Sequence, residues 1–103
     1  MSEVAITRNG SMDRYEARIG DQLAGFAEYI LAKNLIVFTH TEVQPAFEGQ
    51  GVGGALAQFA VDDVRAHGAR KILPLCPFIK AWLSRHPENN DLLYGAPASN
   101  VTD

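Results

Sequence analysis

The sequence predicts a mixed fold, between α+β and α/β, in which an antiparallel four-strand meander precedes a β-α-β unit and a final helix. Three observations support this prediction. Hydrophobic residues alternate with polar ones through much of residues 4–43, which is the period of half-buried strands. After Pro45 the apolar spacing becomes helical, and a short apolar stretch at 71–76 separates two helical segments. Because two strands that flank one helix normally lie side by side, the fourth and fifth strands should be parallel neighbours.

Short strands joined by tight turns account for the first part of the chain. The strands are predicted around Val4 and Ile6, around Tyr15, Ala17 and Ile19, and over residues 23–32 and 35–43. The turns between them fall at Asn9-Gly10, Gly20-Asp21 and Lys33-Asn34. The fourth strand is rich in β-branched and aromatic residues, which favour sheets.

Two helices complete the predicted elements. The first covers residues 52–67, with Gly68 just beyond its last periodic residue, where a glycine commonly ends a helix. The second begins at Pro77, since proline suits the first helical position, and ends before Pro87.

The composition is that of one ordinary globular domain, predicted at residues 1–94, with a flexible tail at 95–103. Hydrophobic residues make up 47% and charged residues 20%, and the net charge of −3 argues against nucleic acid as a partner. No apolar run is long enough to span a bilayer, and the first residues lack an apolar leader, so a cytoplasmic protein without a membrane partner is expected. One cysteine and three dispersed histidines predict no metal site.

The segment FEGQGVGGAL, residues 47–56, carries four glycines within positions 49–54, directly before the first predicted helix. The first amides of a helix have no partner within it, and the helix dipole adds positive charge there. Glycines let a phosphate approach the backbone closely. The segment therefore predicts a phosphate or diphosphate site, and a tight packing turn is the alternative.

Two common nucleotide motifs do not explain this loop. Gly49, Gly51 and Gly54 match G-x-G-x-x-G, but the acidic residue expected about 20 positions later is missing, since 73–76 reads LPLC. No Gly-Lys-Ser/Thr follows, which excludes a nucleoside triphosphate P-loop.

The stretch TEVQPAFEGQGVGGALAQFAVDDVRAHG resembles the acetyl-CoA-binding segment of the GNAT N-acetyltransferase superfamily, whose signature is Arg/Gln-x-x-Gly-x-Gly/Ala. Gly51 and Gly53 take the two small positions, with Glu48 where Arg or Gln is usual. A shifted register from Gln50 through Gly53 to Ala55 also matches. Together with FTHTEV and ILPLCPFIKAWLSRHPE, the resemblance covers roughly residues 14–93 and points to a small, single-domain subgroup.

The resemblance implies a GNAT-like fold whose fourth and fifth strands splay apart, with the pantetheine arm of acetyl-CoA or CoA in the gap. Pro74 fits a splayed strand, because proline is poorly tolerated inside a fully paired one. The cofactor-binding residues implied in this way are Thr41, Val43, Gln50, Gly51, Val52, Gly53, Gly54, Ala55, Cys76 and Pro77.

The implied reaction is acetyl transfer from acetyl-CoA to an amine, either a small amine or a protein amine. Glu42 or His40 are candidate bases for the amine proton, and strict alternation puts both on one face of the fourth strand. Cys76, at the end of the fifth strand and before a helix, is a candidate to protonate the leaving thiolate or to carry the acetyl group. Each has a structural alternative: a core cysteine, and polar residues of a strand surface.

Two further readings of the whole chain stay open. A CoA-binding regulatory or adaptor module would keep the glycine loop but have little catalytic activity. A small interaction domain would bind no nucleotide, and the glycines would serve packing alone.

Overall fold

The computed structural model describes residues 3–95, and within them it contains one five-stranded sheet in the order β1-β2-β3-β4-β5. The elements are, in chain order, β1 (Ala5–Asn9), β2 (Arg14–Ile19), β3 (Gln22–Leu31), β4 (Leu35–Val43), α1 (Val52–His67), β5 (Lys71–Pro74) and α2 (Pro77–Ser84), with short 3-10 helices at Pro45–Phe47 and Pro87–Leu92. Strands β1 to β4 pair antiparallel, and β4 and β5 pair parallel. The predicted fold class is therefore confirmed.

The element boundaries depart from the predictions in two places. Strand β5 ends at Pro74, two residues earlier than the apolar stretch indicated. Pro87 does more than follow the second helix, which already ends at Ser84: it begins a 3-10 helix that the apolar spacing did not predict. Helix α1 begins and ends at the predicted residues, 52–67. The predicted flexible tail, 95–103, lies outside the described residues except for Gly95.

Strands β4 and β5 separate toward their carboxyl ends. Their parallel pairing stops where Phe38 meets Pro74. The amides of Leu75 and Cys76 then converge on the carbonyl of Phe38, at 3.0 and 2.9 Å, so β5 no longer follows its neighbour. Strand β4 continues to Val43, and over this last part it pairs only with β3 within residues 3–95.

A β-bulge in β4 controls which side chains share a face of the sheet. The register with β3 shifts between Glu28 and Tyr29, whose partners are His40 and Phe38. Thr39 is therefore an extra residue on β4, and the alternation of faces reverses across it.

Helices α1 and α2 pack side by side on one face of the sheet, which we call the covered face. A Cβ atom at Gly53 of α1 would come within 2.7 Å of the Phe78 ring of α2, so the two helices are in direct contact. The strands and helices share one buried core on this face, whose largest fully buried members are Tyr15, Phe38, Leu56, Ile72, Ile79, Val52 and Val61. No helix within residues 3–95 lies over the opposite side, which we call the open face.

Asp63 is a polar residue beside the apolar stripe of α1, and it has a hydrogen-bond partner in the sheet. The hydroxyl of Tyr15, 1% exposed, donates a hydrogen bond of 2.8 Å to the Asp63 carboxylate. Burial, and then this hydrogen bond, raise the pKa of Tyr15 far above its ordinary value. The hydroxyl therefore stays a donor, and it ties β2 to α1.

Candidate functional site

The end of β4 offers a free strand edge beside the gap in the sheet. Residues 39–43 lie beyond the last pair with β5, while on their other side Thr41 pairs with Ala27 and Val43 with Gly25. An extended ligand can lie along such an edge and hydrogen-bond to its backbone as an added strand would.

The first turn of α1 begins directly beyond this strand and carries a positive partial charge without a partner. Gly51 is the residue before the helix and has φ of 80°, a left-handed conformation that favours glycine. No side chain caps the helix, and no acidic residue lies in its first turn. The side chain at Glu48 belongs to an exposed residue outside the helix. An anion is the natural complement of such a helix start.

Hydrogen bonds within the loop limit which of its amides are available to bind a ligand. The N–H of Gln50 donates to the carbonyl of Phe47 at 3.3 Å, and the N–H of Ala55 donates to the carbonyl of Gly51 at 3.0 Å. The resemblance implies that residues 50–55 bind the cofactor. The amides of Gln50 and Ala55, however, already donate to backbone carbonyls. The amides of residues 51–54 have no backbone acceptor in the described part of the chain.

The three glycines at the start of α1 are there for different reasons. Gly51 provides the left-handed turn, and Gly53 allows close contact with Phe78. Gly54 has neither reason, because a Cβ atom there would meet nothing within 4 Å and its φ is not positive. Glycine is unfavourable inside a helix, so its presence at position 54 needs an explanation, and neither packing nor backbone conformation supplies one.

The structure brings Cys76 and Thr41 together across the gap. The Sγ atom of Cys76 lies 3.3 Å from Oγ1 of Thr41, and either atom can be the donor. Cys76 is only 3% exposed and directly precedes α2, whose first residue is Pro77, as the sequence indicated. A thiol in this place is buried, but it faces a polar hydroxyl at the edge of the gap rather than the apolar core alone.

The two candidate bases are also brought together, but on the other face. Nε2 of His40 lies 3.1 Å from Oε1 of Glu42, and both side chains are more than half exposed, at 55% and 57%. Phe26 lies beside them, with its ring centroid 6.1 Å from that of His40. The three candidate catalytic residues and Thr41 thus form two pairs on opposite faces of the sheet, with Cys76 and Thr41 on the covered side.

Sequence reasoning missed a buried charge cluster on the open face. Glu16 is 5% exposed although no helix covers it. Arg14, at 2.8 Å, Arg18, at 3.1 Å, and Asn9, at 3.1 Å, all donate to its carboxylate. The hydrogen bond from Arg14 is the main reason that the pKa of Glu16 is lowered. Opposite charges at alternate positions of β2 were the only available signal.

Neither a metal-binding cluster nor a membrane-spanning helix occurs within the described residues. Residues 3–95 contain no group of three or more side chains arranged to hold a metal ion. Among the helices that the structure describes, none has the length and hydropathy to cross a bilayer.

The comparisons with known proteins identify the family. The model of the GCN5-related N-acetyl-transferase family matches residues 14–92. A solution structure of a GCN5-like candidate N-acetyltransferase from Staphylococcus aureus is similar, with a TM-score of 0.70 and 26% identity over 100% of both chains. No curated protein matches the chain. The free strand edge and uncapped helix start occur in a chain that belongs to the GCN5-related N-acetyltransferase family.

Proposed function

We propose that this protein transfers an acetyl group from acetyl-CoA to a primary amine. The observation that carries the proposal is the uncapped first turn of α1, placed directly beyond the free edge of β4. A ligand with a diphosphate at one end and an extended, amide-containing arm at the other has the chemistry to use both features.

The diphosphate would be held by the amides of residues 51–54, which have no backbone acceptor among residues 3–95. Gln50 and Ala55 border this cradle, and their own amides contribute to the turn. The pantetheine arm would follow the backbone of Thr41 and Val43, since β5 has left that edge. Cys76 and Pro77, at the far side of the gap, would then lie near the thioester.

When bound, acetyl-CoA supplies the activated acetyl group. His40, held by Glu42 at 3.1 Å, takes a proton from the acceptor ammonium on the open face, which leaves a neutral amine able to attack. Cys76, held by Thr41 at 3.3 Å, gives a proton to the departing sulfur of CoA. In balance, a C–S bond and two N–H bonds break, and an amide C–N bond and an S–H bond form. The first N–H proton is released through His40, and the second restores the proton that Cys76 gives up.

A second role for Cys76 remains within the same reaction. Its sulfur can first accept the acetyl group and then pass it to the amine. The intact mass of protein incubated with acetyl-CoA separates the two roles, because only an acetyl carrier gains an acetyl group that the Cys76→Ala variant does not gain. As a free thiol, Cys76 suits the reducing cytoplasm that we propose as its location.

Gly54 offers the sharpest test of CoA binding. Gly54→Glu places a carboxylate in the first helical turn. The helix dipole stabilises the carboxylate there, and the side chain has open space, but its charge repels a diphosphate. Gly54→Ala is the matched control, since alanine also favours the helix and carries no charge. Calorimetric titration with acetyl-CoA should show affinity reduced at least about tenfold in Gly54→Glu, from lost anion stabilisation of about 1.4 kcal/mol or more.

The control and thermal unfolding make the result decisive. Both variants should unfold at the same or a higher temperature than the wild type, so lost binding cannot be ascribed to lost structure. Equal affinities for all three proteins, or no binding by the wild type, would contradict the proposal. Binding without transfer to any amine would instead indicate the CoA-binding regulatory module.

A further inference from the structure

The open face carries an apolar row beside the gap. Ile30, Val37 and Leu73 are cross-strand neighbours on β3, β4 and β5, so their side chains share this face. Ile30 is 58% exposed, and the other two are half-buried. Leu75, two residues after Leu73, is 62% exposed and extends the row past the end of β5. A single exposed aliphatic side chain is ordinary, but a contiguous exposed row of them is typical of an interaction site.

Two carboxylates, those of Glu28 and Glu42, lie next to this row. Glu28 precedes Ile30 by two residues on β3 and is paired with His40 on β4. The arginines of the open face are engaged by Glu16, and within residues 3–95 neither Glu28 nor Glu42 forms a salt bridge with arginine or lysine. Around the candidate base, the open face therefore presents the two carboxylates of Glu28 and Glu42, with Arg14 of β2 opposite Glu28, and an apolar row beside them.

We propose that the acceptor is a primary ammonium ion with an apolar body, and that it binds on the open face. Its ammonium group lies between Glu28 and Glu42, next to His40, and its apolar body covers Ile30, Val37 and Leu73. This inference rests on the proposed acetyl transfer, and it adds the class of acceptor and the surface that selects it.

The dimensions of the face suit such a molecule. Glu28 and Ile30 are two residues apart on one strand, which corresponds to about 7 Å, and neighbouring strands are about 5 Å apart. A hexyl chain can therefore lie over the apolar row with its ammonium group at His40. The gap between β4 and β5 opens beside the same row, so the amine nitrogen can face a thioester held in the gap. A second copy of the chain fits less well, because it would bury the carboxylates of Glu28 and Glu42 without adding a cation to pair with them.

The probe is hexylammonium, titrated into isotope-labelled protein in the presence of saturating CoA and followed by amide NMR. Methylammonium tests the apolar row, and hexanol tests the charge. We expect hexylammonium to bind at least about tenfold more tightly than either, because each comparator lacks one half of the interaction. The largest shifts should come from the amides of residues 28–30 and 37–42 and from those of Leu73 and Leu75.

Two lysine variants with equal charge change complete the experiment. Ile30→Lys puts a positive charge on the exposed apolar row, and Ala66→Lys puts the same charge on an exposed position of α1, away from the open face. Hexylammonium binding should weaken at least about tenfold in Ile30→Lys and stay unchanged in Ala66→Lys.

The outcomes separate this inference from the proposed function. Tight acetyl-CoA binding together with hexylammonium shifts elsewhere, or equal weakening in both variants, would overturn the inference alone. Absence of acetyl-CoA binding by the wild-type protein would overturn the proposed function, whether or not hexylammonium binds. The inference would also be overturned if sedimentation showed that the wild type is a dimer and that the Ile30→Lys variant is a monomer. The open face would then be an interface with a second copy of the chain.

Discussion

The covered and open faces of one sheet use the same strands for different purposes. On the covered face, side chains such as Leu56 and Phe38 lie in a core with exposures of 0% and 1%. On the open face, Ile30 is 58% exposed, and the buried carboxylate of Glu16 is enclosed by arginines rather than by a helix. The comparison indicates that the covered face holds the fold together, while the open face is free for interaction.

The difference is sharpest around β4, where the two candidate chemical pairs lie back to back. Thr41 and Cys76 meet on the covered side, within a shell of apolar residues. His40 and Glu42 meet on the open side, in water. A reaction that joins a bound donor to an incoming acceptor can use this division, because each partner then approaches from its own side of the strand.

The largest expected effect comes from removing equivalent aliphatic groups on the two faces. Leu56→Ala should lower the free energy of unfolding by about 3 kcal/mol, since it leaves a cavity in a fully buried site. Ile30→Ala should lower it by less than about 1 kcal/mol, because the side chain is mostly in water. Urea unfolding of both variants measures the difference, and similar losses would mean that the open face is also part of the stabilising core.

The charge cluster of the open face should make stability depend on acid. The pKa of Glu16 is lowered in the folded protein, so its ionised form contributes stability above the ordinary value of 4.5, and this is lost as pH falls through the lower folded value. Glu16→Gln should cost about 1 to 3 kcal/mol at neutral pH, since it removes the buried charge with which Arg14 and Arg18 are paired.

Unfolding curves on both sides of pH 4.5 check this expectation. The wild type should lose stability more steeply than Glu16→Gln below 4.5, so that the two proteins converge in acid. A constant difference at every pH would show that the cluster acts through packing and not through charge.

The smallest effect on stability is expected at His40. His40→Gln should change the free energy of unfolding by less than about 0.5 kcal/mol, because its pair with Glu42 is exposed. The same change should slow acetyl transfer by about 10²-fold or more, since the base is lost. Unchanged transfer with unchanged acetyl-CoA affinity would show that His40 has no part in the reaction and that its pair with Glu42 is only a solvent-exposed contact on the strand.

Much of the architecture follows from the sequence. The helical spacing of residues 52–67 and Gly68 predict the bounds of α1, and the turns at Asn9-Gly10 and Gly20-Asp21 predict the first hairpins. These features depend on neighbours a few residues apart, so a single sequence contains them. The family resemblance also comes from the sequence, because the glycine loop and the strand-Cys-Pro-helix segment are continuous.

The bulge at Thr39 is different. Strict alternation puts His40 on the same face as Ile36 and Phe38, both of which are buried in the core. The extra residue reverses that relation, and nothing in FTHTEV shows where it lies, because its position depends on pairing with β3. The partner of Asp63 was hidden for the same reason, since Tyr15 is 48 residues away.

The sequence by itself therefore determined the order of elements, the position of the glycine loop and the family. Only the tertiary structure decided three features. These are which amides of that loop have no backbone acceptor among the described residues, the contact of Cys76 with Thr41, and the position of the candidate bases on the open face. The physical reason is range: periodicity, turns and caps are local, whereas register, bulges and the gap between β4 and β5 depend on strands that meet only when the chain folds.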